Sequence, residues 1–367
     1  MPDKTDILSW LHIGDLHITR AGQDSHRDLL RIVDLAQGLA PGSVDFALLP
    51  GDNADDGTAE QFALVRDAVA RLPMALHILP GDHDFKPRTL DAFHGVLGAE
   101  RLPKSITEQG HRCLFLDVVS AGSGGPDFRL GDAQLTWVEQ EIEQAAADGQ
   151  DVVMFMHTYP ADLRHGAQRL GALLARPHVT CVDMGHTHYN ELANDGGTIF
   201  MTTRSTGQIE EGPSGFSIAA VDRRGVGWRF KTLDQAWPCV VITHPVDRRL
   251  LTRRAETRPF QIRAKVVGDA PIEAVEARVD DGDWMPMTPL PGAVAVWQAA
   301  APQGERVIVR ARDAHGRLDQ DRVDPAGPDW IPPRRRGDGS DGDRIGAWRE
   351  KAIFDTQLGP NRNGRKW

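Results

Sequence analysis

The chain has 367 residues, of which 40% are hydrophobic and 26% are charged, proportions that are ordinary for a soluble globular protein. This length favours two domains over one. The formal net charge is -10, and the basic block is limited to the arginines at 334–336, so the composition disfavours a surface that coats nucleic acid, because Lys and Arg dominate phosphate binding.

Cysteine usage and hydropathy set the expected compartment. The three cysteines, Cys113, Cys181 and Cys239, are widely spaced and match neither a disulfide framework nor a metal knuckle, so we expect free thiols in a reducing compartment. No run approaches the ~18 apolar residues of a membrane span, and the first strand-like run is not preceded by an apolar signal core. The prediction is a cytoplasmic protein with no membrane partner.

Three apolar runs near the start of the chain predict buried strands at 7–13, 44–50 and 74–80. Each run is followed by a polar loop that contains aspartate, histidine or both. Apolar residues recur at helical spacing after Ser25 and Thr58, each of which is suited to an N-cap. This alternation predicts strand–helix units.

The same alternation continues to about residue 235. Further strands are predicted at 112–119, 152–156, 179–182, 198–203, 215–221 and 227–230, and helices at 130–147 and 169–175. Strands that alternate with helices predict an α/β layered domain over residues 1–235. The uninterrupted strands at its end predict a second sheet packed on the first.

The pattern changes after Trp237-Pro238. Short strands without helical periodicity are predicted at 240–242, 260–262, 275–279, 293–297 and 307–309, with a hairpin signal at Asp281-Gly282. Residues 236–330 are therefore predicted to form a smaller Ig-like or fibronectin-like β-sandwich. Its role is left open between packing on the first domain, dimerisation and closing one side of a cleft. Homo-oligomerisation is likewise left open.

The remaining residues, 331–367, are predicted to be a linker and tail. A short helix is predicted near 345–354, and the terminal stretch 359–367 is expected to dock back onto the body of the protein because it ends in Trp367.

Five loops of the first domain carry aspartate and histidine. They contribute Asp15 and His17, Asp52, Asp82 with His83 and Asp84, His157, and His186 with His188. Carboxylate oxygens with imidazole nitrogens suit Mn²⁺, Fe²⁺ and Zn²⁺. Because each loop follows an apolar run, one sheet edge can present all of them. Seven candidate ligands are too many for one tetrahedral ion and suit two ions that share a carboxylate.

These loops, in this order, resemble the motif set of calcineurin-like metallophosphoesterases over residues 7–230. The motifs are Asp15-Leu16-His17, Gly51-Asp52-Asn53-Ala54-Asp55, Gly81-Asp82-His83-Asp84, His157 and Gly185-His186-Thr187-His188. Five motifs in order form a far more specific signal than any one alone. The resemblance implies a four-layer α/β/β/α sandwich, followed here by the smaller β-sandwich.

The resemblance also implies roles for the matching residues. One metal ion would be held by Asp15, His17, Asp52 and His188, and the second by Asp52, Asp82, His157 and His186. The cofactors would be two divalent ions, Mn, Fe or Zn. A hydroxide that bridges the two ions would attack phosphorus in line. His83 would lie beside the leaving-group oxygen, and Asp84 would orient its ring.

Asp82 departs from the family pattern, which usually has asparagine at this position. The additional negative charge reduces the attraction for a dianionic phosphomonoester more than for a monoanionic diester. We therefore expect a phosphodiesterase that acts on a small diester, such as a cyclic nucleotide or a glycerophosphodiester. The alternatives are a phosphomonoesterase that uses the same site and a non-catalytic metal-binding scaffold. Nuclease activity is disfavoured by the acidic balance.

Three further residues are candidates for contact with substrate. Tyr159 and Tyr189 each lie within two residues of a candidate ligand, and Arg204 follows a predicted strand. All three are suited to bind phosphate oxygens. For each of them, plain packing or a surface position remains the alternative.

Overall fold

The computed structural model describes residues 7–208, 211–252, 261–327, 329–331, 333 and 339–355. The strands of the first domain are β1 (Ile7–His12), β2 (Phe46–Leu49), β3 (Ala75–Ile78), β4 (Lys104–Glu108), β5 (His111–Phe115), β6 (Asp151–Phe155), β7 (Val179–Met184), β8 (Glu191–Asn194), β9 (Ile199–Thr202), β10 (Gly215–Asp222) and β11 (Gly225–Thr232). The helices are α1 (Asp24–Gln37), α2 (Ala59–Val69), α3 (Asp91–Gly95), α4 (Asp132–Ala147) and α5 (Ala167–Leu174).

The strands form two mixed sheets that face each other. The first has the order β11-β10-β1-β2-β3 and the second the order β4-β5-β6-β7-β9-β8. Trp10 and Phe46 of the first sheet share one buried cluster with Phe115 and Phe155 of the second. The rings of Phe115 and Phe155 stack with their centroids 4.7 Å apart. This aromatic layer holds the sheets together.

Helices cover the outer faces of both sheets. Side chains of β1 alternate between two surfaces, so that Leu8 and Trp10 enter the cluster between the sheets while Leu11 packs with α1 and α2. Helices α4 and α5 pack on the second sheet in the same way. The fold is therefore the four-layer α/β/β/α sandwich that the resemblance implied.

Two local expectations were wrong in detail. The late strands do not make a separate sheet, because β9 joins β7 while β10 pairs antiparallel with β1 in the first sheet. Strand β10 is buried along its whole length, because both of its faces are covered when it lies beside β1. Thr58 caps α2 through Gln61, as expected, whereas Ser25 lies inside α1, which begins after Gln23.

The second part of the chain forms two antiparallel four-stranded sheets, as predicted for the smaller β-sandwich. The strands are β12 (Cys239–His244), β13 (Gln261–Val267), β14 (Ile272–Val279), β15 (Met285–Pro286), β16 (Thr288–Pro289), β17 (Val296–Ala300), β18 (Val307–Asp313) and β19 (Leu318–Val323). Their orders are β12-β13-β17-β16 and β15-β14-β18-β19. The hairpin expected at Asp281-Gly282 joins β14 to β15. The boundaries 1–235, 236–330 and 331–367 remain predictions.

Residues 339–355, called here the C-terminal strap, lie against the first domain. The helix predicted near 345–354 is wrong, since this stretch forms a tight turn in which Trp348 and Ile353 exchange backbone hydrogen bonds around a 3-10 helix at Arg349–Lys351. Ile345 N donates to Leu192 O of β8 at 2.9 Å. The terminal stretch 359–367 lies outside the described residues.

The three cysteines are buried and unpaired, in agreement with the expected free thiols. Among the described residues, no helix combines the length and the apolar content needed to cross a membrane.

We expect Phe155→Ala to lower the free energy of unfolding by about 3–5 kcal/mol, because the ring fills the space between the two sheets. Chemical denaturation of the purified protein measures this loss. The control is Leu318→Ala, since Leu318 is 68% exposed and its loss is expected to change stability by less than about 0.5 kcal/mol. Similar effects of the two substitutions would contradict the proposed importance of the aromatic layer.

Candidate metal centre

The seven predicted ligands meet at the carboxyl ends of the strands, where the loops of both sheets converge. They are Asp15, His17, Asp52, Asp82, His157, His186 and His188, and all are buried. One group consists of Asp15, His17, Asp52 and His188, and a second of Asp52, Asp82, His157 and His186, each with potential ligand atoms within 4.8 Å of one another. Asp52 belongs to both groups. The structure therefore brings together every residue that the sequence nominated as a metal ligand.

Ligand atoms of the first group point at a common centre. The Nε2 atoms of His17 and His188 lie 2.9 Å apart. His17 Nε2 is 3.6 Å from Asp52 Oδ2, and His188 Nε2 is 3.6 Å from Asp15 Oδ2. These separations suit donors that surround one small cation.

The second group is arranged around Asp82. Its Oδ1 lies 3.3 Å from His157 Nε2 and 3.4 Å from His186 Nδ1. His157 Nε2 also lies 3.4 Å from Asp52 Oδ1. Asp82 therefore lies within reach of the other candidate ligands of the second group.

Two buried carboxylate oxygens provide a test of whether metal ions fit. Within the described residues, Asp15 Oδ1 and Asp52 Oδ2 have no hydrogen-bond partner. A buried anionic oxygen without a partner is costly. Divalent cations would neutralise both, so this donor set fits two ions that share Asp52.

The backbone turns sharply at the ligands. His17, Asp52, His186 and His188 have φ values of 43°, 52°, 66° and 64°, in the left-handed region. Non-glycine residues enter this region at a cost of order 1–3 kcal/mol and concentrate at functional sites. These turns direct the side chains back over the strand ends.

Two glycines of the motifs allow carboxylates to approach the backbone closely. A Cβ at Gly81 would lie 2.1 Å from Asp52 Oδ1, and one at Gly185 would lie 2.2 Å from Asp15 Oδ1. Any side chain at either position would displace a candidate ligand. This explains why glycine precedes Asp82 and His186.

Two of the three carboxylates at the centre, those of Asp52 and Asp82, favour the ionised form, whereas burial raises the pKa of Asp15 above its usual value. Burial and the Asp82 carboxylate oppose ionisation of Asp52, but the neighbouring His157 and His17 rings outweigh them and hold the pKa of Asp52 below its usual value. Burial also opposes ionisation of Asp82, yet hydrogen bonds to His157 and His186 hold the pKa of Asp82 below its usual value. The site therefore carries concentrated negative charge that attracts cations.

His83 lies at the edge of the centre. Its side chain is 20% exposed, and its ring packs against that of His17 with the centroids 4.4 Å apart. Its backbone N donates to Asp52 Oδ1 at 2.9 Å. His83 therefore adjoins both candidate metal sites and also reaches solvent.

Asp55, and not the expected Asp84, contacts the ring of His83. His83 Nδ1 lies 2.9 Å from the Asp55 carbonyl and 3.1 Å from Asp55 Oδ1. Asp55 Oδ1 also lies 3.3 Å from His17 Nδ1 and 3.2 Å from Gln208 Nε2. The hydrogen bond to His17 is the largest cause that lowers the pKa of Asp55 to about 2. Asp55 thus joins a candidate ligand to the candidate catalytic histidine.

Asp84 connects two ligand loops. Its Oδ2 accepts hydrogen bonds from Gly81 N at 2.9 Å and from the Asn53 side chain at 2.8 Å, and its Oδ1 accepts one from Ala54 N at 2.9 Å. Burial is the main cause that raises the pKa of this carboxyl to about 7, with the Asp52 carboxylate next. Its position beside His83 in sequence was misleading, because the side chain turns into the neighbouring loop.

The three residues nominated for substrate contact lie in the interior, which favours the packing alternative. Tyr159 is buried and its hydroxyl donates to Glu191 Oε2 at 3.2 Å. Tyr189 is buried, and it lines a small cavity with Arg344 and Ile353 of the strap.

Arg204 is fully buried, so in this structure it lies neither at the surface nor where a phosphate could reach it. Its guanidinium lies 4.7 Å from the centroid of the Phe230 ring and 5.2 Å from that of Phe354. It donates to the carbonyls of Pro213 and Ala352 at 2.7 and 3.1 Å. A substrate cannot reach it without displacing the strap.

Sequence reasoning missed Phe128 and Gln208. The Phe128 ring lies edge-on to His186 with the centroids 4.7 Å apart and forms an apolar wall of the second group. Gln208 contacts both Asp55 and His17. Neither residue lies in a recognisable motif, and only the tertiary structure brings them to the site.

Two groups of buried aspartate and histidine side chains that share one carboxylate fit a dinuclear metal site. Residues 8–190 match the family described as calcineurin-like phosphoesterase. Through this domain the chain belongs to the calcineurin-like phosphoesterase family, and it is a metal-dependent phosphoric ester hydrolase.

Curated relatives agree with this assignment, and a solved structure shares the fold. Over 196 residues the chain is 29% identical to the 3',5'-cyclic adenosine monophosphate phosphodiesterase CpdA of Escherichia coli (strain K12), covering 50% of this chain and 68% of that protein. It is 25% identical over 198 residues to a probable glycerophosphodiester phosphodiesterase GpdQ of Arcobacter nitrofigilis, covering 48% of this chain and 71% of that protein. A dimetal phosphatase from Danio rerio shares the fold, with a TM-score of 0.50, 14% identity, and 62% of this chain and 97% of that chain covered.

We expect Asp84→Asn to lower the free energy of unfolding by about 1–3 kcal/mol, because an amide nitrogen would face backbone donors that now meet a carboxylate. Denaturation in the presence of a chelator isolates this effect from metal binding. The matched control is Asp67→Asn, whose side chain is exposed beside Arg66. Equal stability of the two variants would contradict a connecting role for Asp84.

Proposed function

We propose that the protein is a dinuclear metal-dependent phosphodiesterase that hydrolyses a small phosphodiester. The observation that carries the proposal is the pair of buried ligand groups joined through Asp52. The relatives named as cyclic nucleotide and glycerophosphodiester phosphodiesterases support a small diester as the substrate class. A cytoplasmic location remains a prediction.

Two divalent ions would be held by the two groups. Asp15, His17, Asp52 and His188 would hold the first ion, and Asp52, Asp82, His157 and His186 the second. Bound there, the ions would act as Lewis acids on the phosphoryl oxygens and on the attacking water. The chain's part is to fix their positions and to exclude other ligands.

His83 is the residue proposed to act on the leaving group. Its ring adjoins His17 and is partly exposed. Asp55 accepts from Nδ1, which fixes the ring and would leave Nε2 to face the substrate. His83 would then donate a proton from Nε2 to the departing alkoxide.

Asp82 is proposed to set the preference between esters. With Asp15 and Asp52 it places three carboxylates at the centre, where an asparagine would leave two. A dianionic phosphomonoester is repelled more strongly by these carboxylates than a monoanionic diester is. The additional charge therefore favours diesters.

Steady-state kinetics on Mn²⁺-reconstituted protein test the proposal. We expect bis(p-nitrophenyl) phosphate to be hydrolysed with a higher kcat/KM than p-nitrophenyl phosphate, because of the three carboxylates. A preference for the monoester would assign a phosphomonoesterase. Turnover of neither ester, together with a metal content near zero, would favour a binding scaffold.

The His83→Ala variant separates the leaving-group role from general damage. Loss of a proton donor is expected to reduce hydrolysis of an alkyl diester, such as a cyclic nucleotide or glycerophosphoethanolamine, by about 10²- to 10⁴-fold. Hydrolysis of bis(p-nitrophenyl) phosphate should fall much less, since nitrophenolate leaves without protonation. The same loss on both substrates would argue against proton donation by His83.

A third prediction concerns Asp82→Asn. The ratio of diester to monoester kcat/KM should fall by about tenfold, equivalent to about 1.4 kcal/mol, because one negative charge is removed. The assay is made at saturating Mn²⁺ with metal content measured on the same sample. An unchanged ratio at full metal occupancy would show that Asp82 does not select between esters.

A further inference from the structure

The segment from Thr203 to Gly207 supports the first candidate metal site from behind. The Asp15 carbonyl accepts from Ser205 Oγ at 2.8 Å and from the backbone N of Thr206 and Gly207, each at 3.0 Å. The backbone N of Ser205 donates to the His188 carbonyl at 3.3 Å. This segment therefore fixes both loops that carry Asp15, His17 and His188.

The segment from Thr203 to Gly207 is in close contact with the loop that carries Asp15. A Cβ at Gly14 would lie 2.2 Å from the Arg204 carbonyl oxygen, so the two backbones touch with no side chain between them. A shift of Arg204 would therefore be transmitted directly to Asp15.

Arg204 is held through its backbone as well as through its side chain. Its backbone N donates to Asn190 Oδ1 at 2.8 Å. Asn190 Nδ2 and Arg204 Nη2 then both donate to the carbonyl oxygen of Ala352, each at 3.1 Å. The Ala352 carbonyl of the strap thus binds both Asn190, which follows the His188 loop, and Arg204, which precedes Ser205.

The turn that presents Ala352 is anchored in the β-sandwich. Lys351 is buried and its Nζ donates to Asp321 Oδ1 of β19 at 2.6 Å. The Arg249 guanidinium lies 3.6 Å from the centroid of the Trp348 ring. The turn is therefore held on the side that faces the second domain.

We propose that Asn190 and Arg204 are positioning residues of the first metal site and that the strap anchors them through Ala352. The smaller domain then contributes to the metal centre, since it fixes the turn that presents Ala352 to Asn190 and Arg204. Of the second site, Asp82 and His157 are carried by other loops, while His186 shares its loop with His188 and Asp52 belongs to both sites. Loss of the anchor should therefore weaken one bound ion more than the other. This inference rests on the proposed metal centre.

The test is Mn²⁺ binding to the metal-free full chain by calorimetric titration, with Arg204→Met as the variant. Methionine keeps an unbranched apolar side chain between the two rings and removes the guanidinium donors. We expect one of the two Mn²⁺ ions to bind at least about tenfold more weakly, as is typical when residues that support metal ligands are changed. The other equivalent should change by less than about threefold. Arg204→Lys should recover part of the loss.

The control is Arg224→Met, which removes an ion pair with Asp151 at the β10–β11 turn and should leave both affinities unchanged. Phe354→Leu is a milder variant should Arg204→Met fail to fold, and it should weaken the same equivalent. Thermal unfolding of each metal-free protein is measured in parallel. A lower melting temperature with both affinities unchanged, or equal weakening of both equivalents, would overturn the proposal. Absence of Mn²⁺ binding by the wild type would instead overturn the metal centre itself.

Discussion

Repulsion between carboxylates is the constraint on which the site depends. Asp52 and Asp82 both approach His157, and Asp52 also approaches His17. Buried charges of the same sign can be held together only where opposite charges or strong donors compensate them. The imidazole rings supply part of this compensation, and the unpaired oxygens of Asp15 and Asp52 leave the remainder for cations. The surrounding loops serve to hold this otherwise unstable group in place.

The elements that deliver the ligands could be predicted because their signals are local. An apolar run that ends in glycine and aspartate shows both the strand and the position of its terminal loop, as in β2 followed by Asp52. The two-sheet architecture came from the family resemblance. The sheet to which β10 belongs could not be read from its sequence, since an entirely buried strand fits the centre of either sheet.

Partners across the fold could not be predicted. Asp84 stands next to His83 in the chain, but its side chain enters the loop of Asn53, whereas Asp55, which lies in an earlier loop, reaches the ring. Arg204 follows a strand in the same way that a phosphate-binding arginine would. Its burial depends on Phe230 and Phe354, and only the assembled fold brings these two rings together.

The left-handed backbone at His17, Asp52, His186 and His188 has a further consequence. Strain at these four residues opposes folding whether or not metal is present, whereas cations that bind only the folded chain stabilise it in proportion to their concentration and affinity. With the proposed ions, the native population of this protein would depend on the supply of cations around it. A cell that is depleted of metal would lose folded protein as well as activity, and the loops at the sheet edge would be the first to open.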